Sequence, residues 1–93
     1  MRKFNYRPLP KELTISKSQV EGLGLFAIKD IQAGINLGIT HHIVDDNLIR
    51  TPLGGFINHS DNPNCFIDNN FKLWTIRKIN RLEELTVYYR LTV

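Results

Sequence analysis

"GGFINHSDNPNC", residues 54–65, sets amides, a histidine, a serine and a proline between two apolar pairs, Phe56-Ile57 and Phe66-Ile67. Asn58, His59 and Asn64 carry donors and acceptors able to meet an amine, a carboxylate or a purine edge. The same residues also suit a turn whose Asn and Ser side chains bond their own backbone, with His59 partly buried. Asn58-His59-Ser60 matches a glycosylation sequon, which means little without a secretory signal. Taken alone, the stretch reads as a turn between two strands, and its neighbours must decide whether it is also a site.

On both sides the pattern is that of short strands. "RPLP" at Arg7–Pro10 is extended, because proline fixes its own φ and disfavours the helical region for its predecessor. "ELTIS" alternates, placing Leu13 and Ile15 on one face. "LFAI" at Leu25–Ile28 is a short apolar run, and Ile35, Leu37 and Ile39 recur at period two before a turn at Asp45-Asp46-Asn47. "CFIDNNFKLWTI" reads as a hairpin pivoting near Asn69-Asn70, since Asn tolerates positive φ. Trp74 reads as core, and "ELTVYYRLTV" is a final β-branched and aromatic strand whose edges are open unless the chain or a partner covers them. Helical periodicity is confined to at most one turn around Leu53–His59. The fold class is therefore mainly β, many short strands with very little helix.

The chain has 93 residues, 42% hydrophobic and 23% charged, which predicts one globular domain over 1–93 near the low end of self-sufficient size. No apolar run is long enough to span a membrane, and "MRKFNYRPLP" lacks the apolar stretch of a signal peptide. Cytoplasmic residence without secretion or membrane association is expected, in keeping with the single cysteine, Cys65. The net charge of +3 suits an acidic partner or nucleic acid, yet no nucleic-acid reader motif is present. No metal site is expected: adjacent His41 and His42 point to opposite faces of a strand, and one cysteine makes no zinc cluster.

Two further motifs flank the loop. "EGLGLFAIKDIQAG" holds Gly22 and Gly24, with Gly34 ten residues on, and lacks the spacing of a dinucleotide fingerprint. "LEELTVYY" holds Glu83, Glu84, Tyr88 and Tyr89, and the two tyrosines face opposite sides of a strand.

The three motifs in this order resemble the SET domain of protein lysine methyltransferases, from about Leu13 to Tyr89. Gly22, Gly24, Leu25-Phe26 and Gly34 match the first motif. Phe56, Asn58, His59, Ser60, Pro63 and Asn64 match the central one, and Glu83, Glu84, Leu85, Thr86 and Tyr89 the last. Gly55, Asp61, Leu82 and Tyr88 stand where the family pattern has arginine, cysteine, glycine and an acidic residue, which reads as divergence rather than loss of activity.

The resemblance implies several small curved sheets with a C-terminal pseudoknot, in which the last segment passes beneath the Asn58-His59 loop. It implies S-adenosyl-L-methionine as cofactor, bound by Gly22, Leu23, Gly24, Leu25, Asn58 and His59. Tyr89 takes the catalytic position, and Tyr88 and Phe56 belong to the substrate channel. The expected reaction is methyl transfer to a lysine of a protein substrate, such as a basic DNA-packaging or ribosomal protein. The alternative is an inactive binding module of the same fold. Residues 1–11 read as an N-terminal extension able to act as a lid, residues 39–53 as a short insert, and no tail is expected beyond the final strand. So compact a form is expected of a viral (then host-cytoplasmic) or bacterial protein, and of a homodimer.

Overall fold

The computed structural model describes residues 9–89. Most of the expected N-terminal extension, and the end of the final strand at 90–93, lie outside the described residues. In chain order the elements are β1 (Leu13–Lys17), β2 (Leu23–Ala27), β3 (Asn36–Ile39), β4 (His41–Val44) and β5 (Asn47–Arg50). Then follow α1 (Pro52–Phe56), β6 (Asn58–His59), β7 (Cys65–Ile67), β8 (Lys72–Thr75) and β9 (Glu84–Val87). They form three small sheets, ordered β1-β2-β9-β6, β3-β8-β7 and β4-β5. The mainly-β architecture expected from the sequence is thus what the chain adopts.

β1 and β2 pair antiparallel from Leu13↔Ala27 to Lys17↔Leu23. The alternation in "LTISK" turns Leu13 into the core, with Ile15 packed against it. β3 departs from simple alternation. A bulge between Asn36 and Gly38 shifts its register against β8, so Leu37 is buried while Ile35 and Ile39 stay exposed.

The β7–β8 hairpin forms where expected, but its positive φ falls on Phe71 (61°) rather than on Asn69 or Asn70. Asp68 explains the difference. Its Oδ1 accepts from the N–H groups of Asn70 (2.8 Å) and Lys72 (2.9 Å), and its Oδ2 accepts from Trp74 Nε1 (2.8 Å). These bonds fix the turn and hold Trp74 half-buried opposite Phe66, on the face away from the core.

α1 begins at Thr51, whose hydroxyl donates to the Ile39 carbonyl (2.6 Å) and receives the Gly54 N–H (3.4 Å), with Pro52 opening the helix. The helix stops at Phe56, earlier than the outer limit of the expected turn, because Asn58 and His59 are extended and pair with β9.

β9 is not an open edge over Glu84–Val87: β2 pairs with it antiparallel and β6 parallel, in the registers Asn58↔Thr86 and His59↔Val87. Asn64, 2% exposed, adds an amide of its own, accepting the Thr86 N–H (2.8 Å) and donating to the Glu84 carbonyl (2.8 Å). The last strand is thereby inserted between the Gly22–Gly24 hairpin and the Asn58-His59 segment. Its Leu85 and Val87 pack into the core with Leu13, Leu25, Ile57 and Leu73. No helix among the described residues is long and apolar enough to cross a membrane.

Candidate functional site

Asn58 and Glu84 meet over Gly24. The Asn58 amide donates to the carbonyls of Glu21 and Leu23 (3.1 Å each) and to Glu84 Oε2 (3.0 Å), while Ser18 Oγ donates to the same carboxylate (2.9 Å). A carboxylate and two carbonyls can only accept, so they hold the NH2 group inward. Asn58 Oδ1, with no partner among the described residues, is left facing away from them. A Cβ on Gly24 would strike the Glu84 carboxylate and come within 3.1 Å of Asn58 Nδ2. Bare backbone here admits the Glu84–Asn58 pair, and so serves the site through that pair. Beside it, Gly22 (φ 43°) closes the turn with open space over its Cα, and Leu23 is 51% exposed. Leu25 is fully buried between Ile15 and Leu85, its partners on the neighbouring strands.

His59 ties the second corner to the end of β9. Its Nδ1 accepts the Tyr89 backbone N–H (2.9 Å), so the ring hydrogen sits on Nε2, which donates to Asp61 (3.0 Å). The imidazole lies nearly parallel to Tyr89 (15°, centroids 6.2 Å apart) and tilted on Tyr88 (4.9 Å). Tyr89 then folds its hydroxyl back to donate to the Ile57 carbonyl at 2.7 Å. Burial pushes the Tyr89 phenol above its ordinary range, opposed by the Arg50 charge. The group is therefore a neutral hydrogen-bond donor at physiological pH and not a phenolate base.

Tyr88 and Tyr89 open onto a cleft of about 700 Å³, also walled by His41, Phe66, Phe71 and Ile76. His41 packs on Phe71 (5.4 Å) and bonds Thr40 Oγ1 (2.8 Å); burial and then Arg50 hold its imidazole below the usual value. Phe56 packs against the core and does not line this cleft. Cys65 is fully buried, and desolvation pushes its thiol up to about 12, which leaves it unreactive. Sequence reading missed His41, Arg50 and Phe71. They come from a hairpin and a turn whose approach to Tyr89 has no local sequence signal, and only the paired Asp45-Asp46 turn hinted that the chain doubles back there.

Thus Tyr89 stands between two features: the oriented Asn58 amide with its carboxylate, and an aromatic cleft. The family model described as "SET domain" matches residues 40–90, more than half of the chain. The chain belongs to the SET-domain family. The SET-domain fold is also that of a solved Plasmodium falciparum protein, described as a candidate histone methyltransferase. It superposes with a TM-score of 0.73 at 20% sequence identity, covering 90% of this chain and 97% of that one. No curated protein sequence matches the chain.

Proposed function

We propose that this SET domain transfers a methyl group from S-adenosylmethionine to a lysine side chain of a protein substrate. The observation that carries the reading is the Tyr89 hydroxyl, fixed on the Ile57 carbonyl next to the Asn58-His59 segment. The residues fit a cationic cofactor: Asn58 Oδ1 is a held acceptor beside the Glu84 carboxylate, and the turn at Gly22 leaves open space against the backbone. Gly22, Leu23, Gly24, Asn58 and His59 would hold it, with Leu25 buried behind them. When bound, the cofactor supplies a methyl carbon activated by a sulfonium, which departs as a neutral thioether.

The chain's own groups do the positioning. The Tyr89 hydroxyl commits its proton to Ile57 and keeps lone pairs to accept an amine N–H or weak C–H···O contacts from the methyl group. The Ile57 carbonyl adds a second oxygen within 2.7 Å of the first. A lysine amine, with an ordinary pKa of about 10.4, must lose its proton to solvent before its lone pair can form the N–C bond. The aromatic walls of the cleft and the nearby Arg50 charge both favour the neutral amine. Alignment of this kind is worth roughly 7–11 kcal/mol when the attack geometry is near ideal.

A second reading, a binding module without transfer, is favoured by one observation. Tyr88, standing where the family has an acidic residue, is 56% exposed and packs on His59. Calorimetry with S-adenosylmethionine separates the two. One-to-one binding is expected of the enzyme, and absence of binding by the folded protein contradicts it.

A further inference from the structure

Ile43, Val44, Leu48 and Ile49 are 66%, 48%, 56% and 48% exposed, and all four belong to the β4–β5 hairpin. That hairpin pairs only with itself and contributes nothing to the buried core. A two-stranded hairpin with bare apolar faces is marginal in water, and exposed apolar patches of this kind mark association surfaces.

One face of the hairpin has a regular layout. The His41↔Arg50 rung stands at its base and the Ile43↔Leu48 rung at its middle, with Asp45-Asp46 (φ 51° and 65°) at its tip. Successive levels on one face are two residues apart. The middle rung is therefore equidistant from the basic base and the acidic tip. Arg50, Asp45 and Asp46 make no ion pair among the described residues.

We propose that this face is a self-association surface, on which a second copy of the chain packs antiparallel about a two-fold axis running along the Ile43–Leu48 rung. That axis leaves β4 over β4 and β5 over β5 while exchanging base and tip. The partner's Asp46 then meets Arg50 and the partner's Asp45 meets His41, and both contacts recur by symmetry, as an isologous interface requires. The parallel alternative exchanges β4 and β5, setting Asp45 on Asp46 at the tip, where like charges disfavour it, and leaving Arg50 over His41 with no acidic partner. A uniformly basic or acidic partner satisfies one end of the face and is repelled at the other, whereas a second copy satisfies both. The Ile43–Leu48 rung of each copy supplies the attraction, Val44 and Ile49 lying on the opposite face. The exposed Arg50–Asp46 pair, made twice by symmetry, fixes the register and adds little affinity, and so small a contact gives a reversible dimer. His41 also walls the Tyr88–Tyr89 cleft, so the second copy's acidic tip stands at the rim of the site.

Sedimentation equilibrium and light scattering test this without any cofactor, so the result is independent of the proposed chemistry. The wild-type mass should rise from 10.8 kDa toward twice that value with concentration. Ile43→Lys and Leu48→Lys should remain monomeric with unchanged circular dichroism, since neither residue is in the core. Asp46→Arg and Arg50→Asp should each weaken association, and the double variant should restore it. A wild-type chain still monomeric at about 1 mM, beyond the weakest affinity expected of a specific contact, overturns the proposal. So does a dimer insensitive to Ile43→Lys, or a charge swap without rescue.

Discussion

Two side chains carry the chemistry of this site, and each is held by groups that constrain it in only one way. The Asn58 amide is surrounded by acceptors, which is why Glu84 must be a carboxylate. In Glu84→Gln the new amide can donate to Asn58 Oδ1 and turn it inward. Losing a hydrogen bond to a charged group costs about 1.5–3 kcal/mol. Affinity for S-adenosylhomocysteine, measured by calorimetry, should therefore fall roughly 10- to 100-fold. Methylthioadenosine, which lacks the amino-acid end, should bind as before. Tyr89 presents a second test. Its phenol is raised by burial, so the native state keeps a proton that the unfolded chain releases near pH 10. The associated stability is complete below pH 10 and is lost as pH rises through the higher native value. Thermal unfolding followed between pH 9 and 12 should show this decline in the wild type and not in Tyr89→Phe. Gly24→Ala should leave the fold intact but disorder the site, because its Cβ meets only the far ends of Glu84 and Asn58.

The helix and the hairpins place those residues, and they differ in what they tolerate. Gly54 lies in α1 against the Thr40 carbonyl, so an added Cβ meets backbone that cannot move aside. Gly54→Ala should cost about 1–3 kcal/mol by overpacking, read as a lower denaturant midpoint, in contrast to the milder Gly24→Ala. Asp68 organises the β7–β8 turn, and the N–H bonds from Lys72, Trp74 and Asn70 hold its carboxyl below the ordinary range. The stability this provides is present above about pH 3.8 and is lost as pH falls through the lower native value. Asp68→Ala should lower the melting temperature at neutral pH and flatten that acid limb. These elements were legible in the sequence to different depths. Alternation disclosed β1 and the β7–β8 hairpin, because Leu13, Cys65, Leu73 and Thr75 face one core. It misplaced the positive φ because a side-chain carboxylate, not residue preference, decides the turn at Phe71. It also overstated β3, where a bulge breaks the period.

The chain is organised around its last strand. β9 is central in its sheet only because residues 58–59, some 28 positions earlier, lie parallel to it, and no local pattern in "ELTVYY" signals that neighbour. The order of three motifs disclosed the arrangement that periodicity could not. By periodicity alone β9 is an edge that either the chain or a partner must cover, and it is the chain's own β2 and β6 that cover it, while four exposed apolar side chains lie on β4–β5. Threading this strand between two others brings Glu84, Thr86 and Tyr89 onto Gly24, Asn64 and Ile57 at once, and couples folding to formation of the site. The most direct measurement is incubation of the purified protein and its Tyr89→Phe variant with methyl-labelled S-adenosylmethionine and a cell lysate, followed by mass spectrometry of the labelled proteins. Wild-type protein should deposit label on lysine, and the variant should be slower by about 100-fold, as for loss of one transition-state hydrogen-bonding group. Label deposited equally by the variant, or found on no lysine at all, would contradict the assignment.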